Sequence, residues 1–291
     1  MSEFRRNILT AMNKSEPPIT KDYLTIVALE DGLTAKLSIN ACEYCVDGDG
    51  NWKTLPADTE TETINAGQTL SFRGELTPTY HEGVGTFTVS KQFNLKGNGM
   101  SLLFGDNAKK EFSLSGRKYA FSRLFELCTK IIDASEFLLQ ATVLSEMCYF
   151  SMFNACTFLV APPKLPATNL AYRCYETMFN NCRSLTVAPE LPAKTLAGQC
   201  YFAMFNDCTS LTISPVLPAP KLYSSCYKRM FATCPKLNYI KMLATDISAT
   251  DCLYNWVVTV ASSGTFVKSK DATWDVTGAN GIPNGWEVIT E

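Results

Sequence analysis

The chain has 291 residues, 46% hydrophobic and 19% charged, which excludes a disordered protein and leaves ample apolar material for a sizeable core. Lys and Arg number 26 against 28 Asp and Glu, for a formal net charge of -2, and no long run of like charge occurs, so neither nucleic acid nor an anionic membrane surface is an expected partner. No stretch of about 18 apolar residues is present, so no membrane-spanning helix is expected.

Residues 1–22 read as a separate arm. Phe4, Ile8, Leu9 and Met12 are spaced for one helical face, and Pro17-Pro18 ends it. The functional expectation for such an arm is an anchor that docks on a partner or bundles copies of the chain into a homo-oligomer. Arg5-Arg6 is not followed by an apolar run of about 7–15 residues, so no signal peptide is expected.

Residues 23–116 change character and predict a small Ig-like antiparallel β-sandwich of about seven strands. Short β-prone runs include Tyr23–Val27, Leu33–Leu37, Thr69–Phe72 and Gly85–Val89. Asp31-Gly32, Asp47-Gly48-Asp49-Gly50, Ala66-Gly67 and Lys96-Gly97-Asn98-Gly99 supply the turn signals between them. Two constellations here mimic chemistry. Cys42-x-x-Cys45 resembles half of a zinc site or a redox pair, but no second half follows. Asp47, Asp49 and Asn51 mimic a calcium loop whose sixth position is Trp52 where glycine is needed, and a hairpin turn accounts for the same residues.

Residues 117–251 repeat with a period of 26. Cys148, Cys174, Cys200, Cys226 and Cys252 open successive units, and Cys156, Cys182, Cys208 and Cys234 stand eight positions after the first four. Tyr149, Tyr175, Tyr201 and Tyr227, the four Met-Phe pairs beginning at Met152, Met178, Met204 and Met230, and Leu159, Leu185, Leu211 and Leu237 share the period. A further leucine column is read at Leu165, Leu191, Leu217 and Leu243. Such a period means stacked repeats. Relative to the opening cysteine, apolar residues fall at 0, +1, +4, +5 and +8, which at about 100° per residue lie within an arc of about 140°, one face of a helix. The second half, such as Leu185–Pro189, is short, β-compatible and stopped by proline. The expectation is a mixed α/β leucine-rich-repeat solenoid, helix plus strand per coil. Residues 120–147 form a degenerate first unit, and residues 252–291 a C-terminal cap that starts with a last helix over 252–260.

The twelve cysteines invite a metal or disulfide ladder. The repeat cysteines share the apolar face with Tyr, Met and Phe, Ala120 and Val260 replace them in the same columns, and the chain's one histidine, His81, is far off in sequence, so packing is expected, with no metal and no other cofactor. No Gly-rich phosphate loop, G-x-S-x-G elbow or H-E-x-x-H motif occurs, so an enzyme is not expected.

The C-Y-x-x-M-F-x-x-C unit, the L-P-A segment and the closing Gly281-Ile282-Pro283-Asn284-Gly285-Trp286 resemble the Treponema-type (BspA-like) leucine-rich repeats of Bacteroidetes and their phages. The resemblance covers residues 120–291, and the preceding segment with Glu43-Tyr44, Asp47-Gly48 and Trp52 looks like the small β-domain placed before such repeats. It implies a non-enzymatic recognition or structural protein: a phage virion fibre or decoration component held to other virion proteins through residues 1–22, or a bacterial surface adhesin binding host protein or glycan. The matching location is the virion or the cytoplasm, with the cell surface as the alternative. The expected contact surface is the strand side, with Thr186, Thr212 and Asn238 in one column and Lys164 and Glu190 in another. The helix positions Phe150, Glu176, Phe202 and Lys228 form a second candidate, in which Phe150 and Phe202 are expected to be exposed.

Overall fold

A computed structural model of the chain describes residues 22–38, 40–76 and 86–291. His81 and residues 1–21 of the expected arm lie outside the described residues. The described residues fall into two units.

The first unit takes residues up to 76, Thr86–Glu111 and Lys130–Leu139. Its strands are β1 (Leu24–Ala28), β2 (Ala35–Leu37), β3 (Cys42–Val46), β4 (Lys53–Leu55), β5 (Thr69–Arg73), β6 (Phe87–Val89), β7 (Phe93–Asn98) and β8 (Ile131–Leu138). They form a six-stranded sheet in the order β4-β3-β5-β1-β7-β8 and a two-stranded sheet β2-β6. All pairings are antiparallel except β7 with β8, which is parallel and comes from a distant part of the sequence. Phe72 on β5 meets Phe87 on β6 edge to face at 5.0 Å, joining the two sheets through the core. Lys96-Gly97-Asn98-Gly99, read as a turn, instead continues β7 through Asn98. Gly97 has φ 73°, and a Cβ there would lie 1.8 Å from the Tyr23 carbonyl oxygen, so glycine serves a close strand crossing and not a reversal. The single α-helix among the described residues, α1 (Ser101–Phe104), follows.

The second unit, Phe112–Thr129 and Gln140–Glu291, overturns the mixed α/β expectation. The repeats stack as coils, but the half of each coil read as a helix contains none; the fold is β-rich. The segment is a ribbon of overlapping turns. Alternate N–H groups close local turns to the carbonyl three residues back: Cys148 to Ser145, Phe150 to Met147, Met152 to Tyr149, Asn154 to Ser151 and Cys156 to Phe153. The N–H groups between them cross to the next coil: Met147 to Tyr172, Tyr149 to Cys174, Ser151 to Glu176, Phe153 to Met178 and Ala155 to Asn180. An α-helix bonds only within itself, whereas this ribbon divides its donors between its own turns and the neighbouring coil. To do so it places every fourth residue in the left-handed region, as at Met147, Ser151 and Ala155, or Arg173, Thr177 and Asn181. Each such non-glycine residue costs about 1–2 kcal/mol, offset by the inter-coil ladder and the buried columns. Residues 252–260, expected as a last helix, follow the same path, with Asp251, Asn255 and Thr259 left-handed; so does the first coil, with Tyr119, Arg123 and Leu127.

The columns stack in register. Phe121, Tyr149, Tyr175, Tyr201 and Tyr227 form one run of rings with centroids 5.5–6.0 Å apart, and Phe125, Phe153, Phe179, Phe205 and Phe231 form another at 5.5–5.8 Å. Both runs end on Trp256, at 6.5 Å from Tyr227 and 6.1 Å from Phe231. Trp256 is fully buried, and its indole N–H donates to the Gly281 carbonyl at 2.8 Å, which ties the cap to the last coil.

The strand side of the coils becomes a parallel sheet only towards the C-terminus: β9 (Ile213–Leu217), β10 (Tyr239–Met242), β11 (Thr265–Lys268) and β12 (Glu287–Thr290), in the order β12-β11-β10-β9. Pro162-Pro163 and Pro189 remove ladder donors from the earlier coils. At Pro215 the register of β9 with β10 slips, so Tyr239 pairs with Ile213 but Met242 with Leu217. Met242, and not Leu243, therefore fills the buried column of Leu165, Leu191 and Leu217; Leu243 is half-buried.

Candidate functional site: the strand-side face of the coils

Along each coil Leu159, Leu185, Leu211 and Leu237 point into the core, and so do Leu165, Leu191, Leu217 and Met242. The residues between them that point away make the outer face. Thr186, Thr212 and Asn238 are exposed in one column, and Lys164 and Glu190 in another. The structure adds residues that the sequence reading missed: Val187 is 63% exposed, Ile213 57% and Phe158 51%, with Val160 and Val216 also exposed. Their signal lay in the sequence as apolar residues out of phase with the leucine columns, masked by the prolines beside them. Exposed aliphatic and aromatic groups on consecutive coils form a patch of the kind that marks interaction sites. Lys164 and Glu190 occupy the same column of adjacent coils and carry opposite charge, yet neither forms an ion pair among the described residues.

The second expected surface is corrected by the geometry. Phe150 is 6% exposed, and its ring lies between the guanidinium groups of Arg123 at 5.4 Å and Arg173 at 5.3 Å. Arg173 in turn donates to the buried carboxylate of Glu176 at 2.9 Å. Phe202 is half-buried, and Lys228 donates to Asp251 at 2.9 Å with its ammonium 4.8 Å from the Tyr254 ring. The column is thus largely filled by partners within the chain. The reason is the four-residue turn, which brings residues of one coil over those of the next where a helix would have pointed them to solvent.

Beside it runs an amide ladder: Asn206 donates to Asn180, Asn180 to Asn154, each at 2.8 Å, and Asn154 to Glu126 at 2.6 Å. All twelve cysteines are buried and free. The thiols of Cys156, Cys182, Cys208 and Cys234 donate to the carbonyls of Phe125, Phe153, Phe179 and Phe205 in the preceding coil, each at 3.1 Å. Burial pushes the thiols of Cys148, Cys226 and Cys234 up to about 12, holding them neutral. Cys42 and Cys45 are three residues apart in β3, so their side chains leave on opposite faces of the strand and do not form a pair. The carboxylate of Asp47 accepts from Gln68 Nε2 and the Thr69 N–H, and that of Asp49 from the Asn51 N–H and Nδ2, so both are engaged in turn bonds. Among the described residues no cluster of His, Cys, Asp or Glu is placed to hold a metal ion, and no helix is long and apolar enough to cross a membrane.

No protein-family model, curated protein or solved structure matches this chain.

Proposed function

We propose that the chain is a non-enzymatic recognition protein that uses the strand-side face of its coils to hold a protein partner. One observation carries this reading. The interior columns repeat with little change from coil to coil, while the outer strand-side residues vary more, as in Val160, Thr186, Thr212 and Asn238, and leave Phe158, Val160, Val187, Ile213 and Val216 in solvent. A constant interior with a changing apolar and charged face suits a rigid scaffold that displays a specific surface. The sequence resemblance adds a setting, a phage virion fibre or decoration component. Co-purification of the chain with particles is the expected result there; labelling on the outer surface of bacterial cells instead would favour an adhesin.

The face itself is tested by probing arrays of proteins and glycans with the full chain and with Val187→Glu/Ile213→Glu. The double variant changes only exposed side chains, so its circular dichroism and melting should match the parent. Loss of a binding signal seen with the parent is expected. A signal that survives the double variant but vanishes with Arg229→Glu, a change at an exposed left-handed residue of the turn ribbon, would contradict the assignment.

A further inference from the structure

Resting on the strand-side reading, we infer that one partner of this face is a second copy of the same chain, packed face to face about a twofold axis that runs parallel to the outer segments 158–165 and 184–191, midway between the coil of Lys164 and the coil of Glu190. Lys164 and Glu190 sit one coil apart in one column, are exposed, and are unpaired within the described residues. A twofold axis between these coils exchanges them, so Lys164 of each copy meets Glu190 of the other and both charges are satisfied. Moving the axis onto either coil would oppose like charges. Moving it one coil further would set Glu190 against Val216 and Lys164 against Lys241.

The same axis decides what the apolar groups meet. Val187 faces Ala161 of the second copy, Val160 faces Thr186, and Phe158 faces Ser184. Each of these three exposed groups therefore meets a small or short one, the pairing that lets two faces interlock. A C2 contact is self-complementary by construction, and each pairing occurs twice in it. With only two coils per copy at its centre, the contact lies at the small end of specific interfaces, so association is expected to be weak and concentration-dependent.

The test is sedimentation velocity of the full chain up to about 100 µM, the range in which small interfaces associate. Four charge states are compared: the parent, Lys164→Glu, Glu190→Lys, and the double exchange. The parent is expected to dimerise, each single variant to dissociate at least tenfold more readily, and the double exchange to recover, because it restores opposite charges across the axis. A parent that stays monomeric over the whole range overturns the inference. So does a dimer indifferent to the single variants, or one that the double exchange fails to restore. The strand-side reading is judged separately: a monomeric parent whose array binding still depends on Val187 and Ile213 leaves that reading intact while the second copy is ruled out.

Discussion

The thiols of the coils act as small apolar groups with one hydrogen to give. In the column of Cys156, Cys182, Cys208 and Cys234 each thiol reaches a phenylalanine carbonyl of the preceding coil, so the column adds bonds between coils as well as volume. The sequence placed these residues in the core but carried no sign of the acceptor, because the carbonyl belongs to a residue about one repeat away. Their ionisation predicts a dependence on pH. The unfolded chain releases thiol protons near 9.0, while the native chain holds those of Cys148, Cys226 and Cys234 up to about 12. Above the unfolded value the native state binds more protons, so unfolding draws on alkali. These groups leave stability unchanged below pH about 9 and lower it progressively between about 9 and about 12. Urea midpoints across that window check the direction, and iodoacetamide should leave the native thiols unlabelled at pH about 8 while labelling them after unfolding. Rapid native labelling would contradict the burial on which this rests.

At the scale of the element, the repeat was legible and its backbone was not. The period of 26, the cysteine, tyrosine, Met-Phe and leucine columns, and their burial all follow from the sequence. The helix does not, although positions 0, +1, +4, +5 and +8 fit one helical face. They fit a strict period of four more tightly, since at 90° per residue they collapse onto two directions, but eight residues are too few for the difference from 3.6 to declare itself. The usual marker of left-handed residues was also sparse, present at Asn181 and Asn255 but not at most of these positions. Met147, Ser151, Ala155, Arg173, Thr177 and Gln199 hold positions where glycine or asparagine would have signalled a turn. The slip that replaces Leu243 by Met242 was hidden because it arises from Pro215 in the neighbouring strand. The amide ladder is a direct consequence of the ribbon geometry and offers a test. Asn180→Ala leaves the Asn206 amide N–H and the Asn154 carbonyl oxygen without their partners, and should cost about 1–3 kcal/mol in urea unfolding. A loss below about 0.5 kcal/mol would mean that the ladder is solvated and not structural.

In the second unit taken whole, the interior runs to a defined end. Two ring columns converge on Trp256, and the cap that holds it depends on glycines that admit no side chain: a Cβ at Gly281 would lie 2.0 Å from the Val276 carbonyl oxygen, and one at Gly264 2.3 Å from that of Asn238. Trp274 and Trp286 repeat the device of Trp256, each donating its indole N–H to a backbone carbonyl, of Ala244 and Ala261. The closing Gly-Ile-Pro-Asn-Gly-Trp segment read from the sequence as a cap belongs to this arrangement. The strand side was legible as the varying face through Thr186, Thr212, Asn238, Lys164 and Glu190, whereas its apolar members stood beside prolines that disguised a strand path.

The ribbon is what buries the second candidate surface, because a helical coil would return Phe150 and Phe202 to solvent beside the strand-side face. Far-UV circular dichroism of the full chain tests this most directly. A spectrum dominated by β and turn signal, without the paired minima of a helix, is the predicted result. Strong helical minima, of the strength that six successive short helices would give, would contradict the ribbon and restore Phe150 and Phe202 as a competing surface.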